Sequence, residues 1–170
     1  MICELVSSTH KVLREAVPPF DFQNPPTDPI ELAKNIADTM IGKQGLGLAA
    51  PQIGLPYHAF SILTNPVLVM FNAKIVDCSI ERVELEEGCL SFPDMFLKLT
   101  RPREIRVRYQ LPNGEVNTSK FADLTARIVQ HELDHLNGVL FLDNVSKFHL
   151  DRAKKNQKLR QRQRKRGQIK

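Results

Sequence analysis

The pentapeptide His131-Glu132-Leu133-Asp134-His135 limits what this 170-residue chain can fold into more than any other stretch. On a helix, residues four apart stand one turn above each other, with Cβ atoms about 5–6 Å apart, close enough for two imidazoles to grip one metal ion. Glu132, next along the turn, can then face a water in the same site. At about 100° per residue, Leu124, Ile128, His131 and His135 fall on one stripe, so the histidines are expected to point where core-facing side chains point. In a chain of this composition such a pattern would arise by chance only about 0.01 times. The fold must therefore be built around a helix whose buried face carries polar ligands. Asp123 is expected to cap that helix, and Asn137-Gly138 to close it.

Two histidines do not complete a catalytic metal site, which usually has three protein ligands and one open position. The spacing of a metzincin peptidase keeps its glycine at Gly138 but meets Phe141 where the third histidine belongs. No Glu follows Glu132, so the downstream carboxylate of thermolysin-like peptidases is missing as well. Upstream, Glu87-Gly88-Cys89-Leu90-Ser91 offers a cysteine in a tight, glycine-containing turn. A thiolate with two imidazoles makes a sound tetrahedral set for a divalent transition metal, and the set accepts zinc, iron(II), nickel or cobalt alike. His10, His58 and His149 compete for the third position, but each lies alone in polar or irregular surroundings. Three cysteines cannot all pair, which argues for a reducing compartment and leaves Cys3 and Cys78 as small buried apolar residues.

Around these motifs the chain reads as an α+β domain. Residues 1–27 form an irregular lead-in punctuated by two Pro-Pro pairs. Asp28-Pro29-Ile30-Glu31 starts a helix whose apolar positions are Ile30, Ala33, Ala37, Met40 and Ile41, ending near Gly42. Ala59–Leu63, Pro66–Phe71 and Lys74–Val76 read as short strands. Ile105, Val107, Tyr109 and Leu111 alternate with polar residues as a half-buried strand, and Pro112-Asn113-Gly114 turns it into a partner, Glu115–Phe121. Gly45-Leu46-Gly47-Leu48-Ala49-Ala50-Pro51-Gln52 superficially matches a dinucleotide-binding fingerprint. It follows a helix and runs into a proline, however, so it reads better as extended backbone that lets another chain approach. Gln52 ends it with an amide that could donate into the site.

Taken together, Gly45–Gln52, Glu87–Ser91 and His131–His135 resemble, in order and at every motif position, the three signature motifs of peptide deformylases. Gln130 and Leu136-Asn137-Gly138 extend the resemblance, which covers most of residues 8–145. It implies antiparallel β-sheets packed around a central metal-binding helix, with an N-terminal helix and a basic C-terminal helix or tail. It implies hydrolytic removal of formate from N-formyl-methionyl nascent peptides. By the same resemblance Cys89, His131 and His135 hold the metal, iron(II) being expected in the cell. Glu132 acts as general base and then acid, Gln52 and the backbone N–H of Leu90 stabilise the oxyanion, and Gly45 offers backbone to the extended peptide. Methionine would enter an apolar pocket near the metal helix, whose walls stay open at this point. The stem of Arg127, one turn before His131, either lines that pocket or lies at the surface.

The net charge of +5 belongs to the end of the chain. Residues 150–170 hold ten basic groups against one acidic, whereas residues 1–149 hold 14 basic and 18 acidic. Residues 1–149 are thus expected to form the catalytic unit and 150–170 a basic tail or helix, too poor in apolar residues for a core of its own. The tail is either a solvated element or a contact for ribosomal RNA phosphates, a role some bacterial deformylases give a C-terminal helix. No apolar run approaches the roughly 20 residues of a membrane span, and Met1–Val6 lacks an export-signal pattern, so a monomeric cytoplasmic enzyme is expected. Two rival readings remain. A metallopeptidase is opposed by Phe141 and the absent downstream Glu. An RNA-binding protein with a structural metal lacks a fourth ligand and an aromatic stacking motif.

Overall fold

The computed structural model describes residues 1–167. Helix α1, Pro29–Gly42, begins where Asp28 caps it: the carboxylate accepts from the N–H groups of Ile30 and Glu31. Its buried face is Leu32, Ala33, Ile36, Thr39 and Met40, while Ile30 and Ile41 are more than half exposed. That face is turned about a quarter of a revolution from the stripe the sequence suggested. Two apolar stripes compete on this helix, and the one carrying the larger side chains, Leu32, Ile36 and Met40, wins the core.

After α1 come β1, Gly47–Ala49, and β2, Ala59–Ile62, joined through a 3-10 turn at Ala50–Ile53. The expected strands Pro66–Phe71 and Lys74–Val76 are one strand, β3, Leu68–Cys78. Its pairing with β6, Glu104–Gln110, slips between Phe71 and Lys74, where Asn72 adopts a positive φ of 51°. The Asn72 amide is freed to bind both backbone groups of Phe20, its oxygen accepting from the N–H and its nitrogen donating to the carbonyl. The irregular lead-in is tied down in this way, and Val12, Leu13, Val17 and Phe20 are buried although residues 1–27 carry no regular element beyond the 3-10 turn Lys11–Arg14. Strand β7, Val116–Ala122, follows the expected turn, and the sheet order is β1-β2-β3-β6-β7, antiparallel throughout.

The sequence reading missed a second sheet, the hairpin of β4, Arg82–Cys89, and β5, Phe92–Pro102. Its turn is Leu90-Ser91, so Gly88 and Cys89 belong to the strand and not to the turn itself. Helix α2, Asp123–Leu136, lies between the two sheets. Ala126, Val129, Leu133 and Leu136 face the five-stranded sheet, packing with Phe60, Ile62, Met70, Ile105 and Val107. Two expectations fail at its start. Asp123 makes no capping bond; its carboxylate takes the Nε–H of Arg103 at 2.8 Å instead. Leu124, at the head of the expected core stripe, is exposed, because that stripe leaves the core one turn before His131 and opens into a cleft. Helix α3, Lys147–Lys165, packs along β5 through Leu150 and the buried Ala153. Among the described residues no helix is long and apolar enough to cross a membrane.

The lead-in and α2 meet at Gly138, which holds φ at 70° and closes the helix by donating to the His135 carbonyl. A Cβ there would stand 2.8 Å from the backbone carbon and oxygen of Arg14, atoms that cannot turn aside. Gly138→Ala is therefore expected to cost at least about 1–3 kcal/mol, read as a lowered urea midpoint at unchanged m-value.

Candidate metal centre

Because α2 presents one side to the hairpin, three side chains that could hold a metal converge there. Cys89 Sγ, at the end of β4, lies 3.2 Å from His135 Nε2, and the ligand atoms of Cys89, His131 and His135 all lie within 4.8 Å of one another. Sulfur and nitrogen bonded tetrahedrally to one zinc-sized ion would stand about 3.5 Å apart, so the donor set fits a divalent cation. Both histidines are buried. His10, His58 and His149 lie outside this group.

The orientation of His131 is set by a residue to which the sequence reading gave no role. Glu87 is buried, and its Oε2 lies 3.1 Å from His131 Nδ1. That ring nitrogen donates to the carboxylate, so Nε2 is the atom turned toward Cys89 and His135. Arg101 holds Glu87 through two parallel bonds, Nε to Oε1 at 2.6 Å and Nη2 to Oε2 at 3.0 Å, and reaches Asp134 with Nη1 at 2.7 Å. Of the two places open to it, Arg127 takes the first: it lines the cleft and is buried, with its guanidinium engaged. Its Nη1 donates to Glu87 and to the Leu99 carbonyl, and its Nη2 to the Val83 carbonyl. Burial pushes the Glu87 carboxyl up, but His131 and the two guanidinium groups outweigh it and bring it down to about 2.

The remaining groups are tuned by the same surroundings. Burial opposes charge on His131, yet its bonds to Cys89 and Glu87 raise it to about 10. Burial and the neighbouring His131 charge lower His135 to about 3. Glu132 is buried, one carboxylate oxygen pressed against Gly47 and the other without a partner, and burial raises it to about 7. A Cβ at position 47 would occupy the space of that carboxylate, which is why β1 needs glycine there.

The other residues marked by the sequence gather around the same point. Gln52 is buried: its Oε1 accepts from Ala49 N–H at 2.8 Å, and its Nε2 points at Ser91 Oγ, 3.1 Å, and Cys89 Sγ, 3.5 Å. Gly45 packs against Leu90, where a Cβ would lie 2.7 Å from Leu90 Cδ1, and its own N–H is spent on the Met40 carbonyl. Gly45, Gln52, Cys89, Leu90, His131 and Glu132 all line one cleft of about 770 Å³, whose apolar wall includes Leu124 and Ile128. Glu87, Arg101, Asp134 and Ser91 are the supporting residues that sequence reasoning missed. The signal available for Glu87 was a charge at an inward position of a Val83-Leu85-Glu87 alternation.

Comparison with known proteins agrees with this geometry. A family model described as polypeptide deformylase matches residues 2–151. A peptide deformylase of Synechocystis sp. is 44% identical over 121 residues, covering 68% of this chain and 65% of its own, so the match spans slightly under two thirds of that relative. One of Bartonella tribocorum is 39% identical over 155 residues, 86% of each chain. The crystal structure of a peptide deformylase from Legionella pneumophila superposes with a TM-score of 0.86 at 29% identity, covering 98% of this chain and 99% of that one. A Met-Ala-Ser-bound class I type b peptide deformylase from Acinetobacter baumannii superposes with a TM-score of 0.79 at 30% identity, over 85% and 99%.

Arg127 supplies three buried acceptors from one planar fork, which a lysine cannot match. Arg127→Met is expected to destabilise the fold by about 3 kcal/mol. Arg127→Lys should recover less than half of that loss in chemical denaturation.

Proposed function

The chain belongs to the polypeptide deformylase family, and on that premise we propose that it removes the formyl group from the N-terminal formyl-methionine of newly made polypeptides, releasing formate. The observation that carries the reading is the meeting, at the floor of one cleft, of a Cys-His-His cluster, a buried carboxylate and a donor amide beside an edge strand. Cys89, His131 and His135 would hold the ion, with iron(II) expected in the cell and zinc, nickel or cobalt as alternatives. When bound, the ion supplies Lewis acidity that activates water against an amide carbonyl.

The protein's own residues do the rest. Glu132 takes a proton from the attacking water and returns it to the departing amine. Its burial favours both tasks, since a carboxyl raised to about 7 can hold or yield a proton near neutrality. Gln52 Nε2 and the Leu90 backbone N–H donate to the oxygen that becomes negative. β1 is the edge of its sheet, and beside it the Gly45 carbonyl, whose N–H partner is already engaged, can pair with an extended peptide laid along the cleft. Leu124 and Ile128 give the methionine side chain an apolar wall. A formyl carbon bears only hydrogen, so a cramped floor can reject acetyl.

Beyond the catalytic unit, residues 1–149, the basic segment 150–170 carries the second half of the reading. Phe148, Arg152, Lys155, Leu159 and Arg162 are exposed and fall on one stripe of α3, which the exposed Arg166 follows at its C-terminal cap. Such a basic stripe suits the phosphates of ribosomal RNA, and a monomeric, cytoplasmic enzyme working on emerging chains would gain from that contact. Residues 168–170 lie outside the described part.

The test is formate release from formyl-Met-Ala-Ser by anaerobically purified protein with its metal counted. Release from this peptide and none from the acetylated one is expected; no release from fully metallated protein overturns the reading. Glu132→Ala should keep its metal and lose nearly all turnover. Gln52→Ala should lose roughly 10²–10³ in kcat, as removal of one oxyanion donor does elsewhere.

A further inference from the structure

Helix α3 does more than carry charge: three of its side chains fasten the wall of the cleft, and one of them, Arg164, lines it. β5 leaves its ladder near the hairpin tip, where Gly88 pairs with Phe96 but Cys89 with Phe92. Pro93, Asp94 and Met95 bulge out between these pairs, with Asp94 at a φ of 64°. The bulge lines the cleft alongside Cys89 and Leu90. α3 fastens it at successive turns. Gln157 Nε2 donates to the Pro93 carbonyl at 2.8 Å, Arg160 Nη1 donates to the Asp94 carbonyl at 3.3 Å while lying over the Phe96 ring, and Arg164 Nη2 pairs with Asp94 Oδ1 at 2.7 Å. All three positions lie beyond residue 151, where the family match ends.

Arg164 itself lines the cleft. Its side chain is 53% exposed and that of Asp94 beneath it 9%, so the guanidinium covers the carboxylate and turns its outer N–H groups to solvent. Among the other charges on the lining, Arg127 and Glu87 face each other in the interior, Lys43 is tied to Glu4, and Glu132 is buried. Glu86 has no ion pair among the described residues, since Lys98 across the ladder reaches Glu84 instead, so Arg164 is the cation left facing outward. An extended peptide running out of the cleft would therefore meet Arg164 as a positively charged group with donors to spare.

We propose that Arg164 selects substrates by binding a carboxylate on the segment downstream of the N-terminal methionine. The inference rests on the deformylase reading and goes beyond it to which formyl-methionyl chains are favoured. The test compares kcat/KM for formyl-methionyl pentapeptides carrying Glu, Gln or Lys at the third, fourth or fifth position. At low salt the wild-type protein should favour Glu over Gln by about three- to fivefold at one position, mainly through KM, and the preference should fade as salt rises. Arg164→Gln should abolish that ratio, and Arg164→Glu should reverse it toward Lys. If Arg164 served only to hold the bulge, its variants would slow all three peptides alike and leave the ratio intact, which overturns the proposal. Equal rates for Glu and Gln peptides at every position in the wild type overturn it too, while leaving the deformylase reading standing. Failure to release formate from the Gln peptides would instead remove the deformylase reading, and the proposal with it.

Discussion

The buried carboxylate of Glu87 is the point on which the two halves of the structure depend. It sits on β4, is gripped bidentately by Arg101 from β5, is reached by Arg127 from α2, and accepts the ring N–H of His131 on that same helix. A carboxylate out of water is costly unless its charge is matched and its oxygens are bonded, and here both conditions are met by residues from two other elements, β5 and α2. The hairpin has only two strands, with α3 packed along β5, so this network joins it to α2 where apolar packing alone would be thin.

The same network gives the site its chemical sense. By accepting the Nδ1–H of His131 it leaves Nε2 to face Cys89 and His135, while Glu132 on the same helix stays unpaired beside Gly47. Glu132 is the one carboxylate of this region with a partnerless buried oxygen. Glu87 and Glu132 thus divide two tasks. One is held ionised and orients His131, and the other is raised by burial to about 7.

The cleft is likewise a product of both sheets. Its one side is the edge strand β1 with the glycines before it, and its other side is the hairpin tip with the bulge of β5. Edge strands expose backbone that must be paired or protected. Here the edge faces the cleft, and α3 braces the opposite lip through Gln157, Arg160 and Arg164.

Much of this was legible in the residues. The Asp28 cap, the alternation of Ile105, Val107 and Tyr109, the Asn113-Gly114 turn and the pair His131 and His135 are local signals, set by a few neighbouring side chains and by helix or strand periodicity. The β4–β5 hairpin escaped because the run Glu84–Glu87 reads as a solvated, charged loop until something neutralises the one glutamate that faces inward. That something is Arg101, 14 residues on, and Arg127, 40 residues on. Alone, then, the sequence determined the start of α1, the β6–β7 turn and the pairing of His131 with His135 on one face of α2, because these follow from short-range spacing. Only the tertiary structure decided that Leu124 opens to a cleft, that Arg127 is a buried clamp, and that a basic tail braces the cleft wall. Each of these depends on a partner brought from far along the chain, and pairing of charges at that range leaves no periodic trace in the sequence.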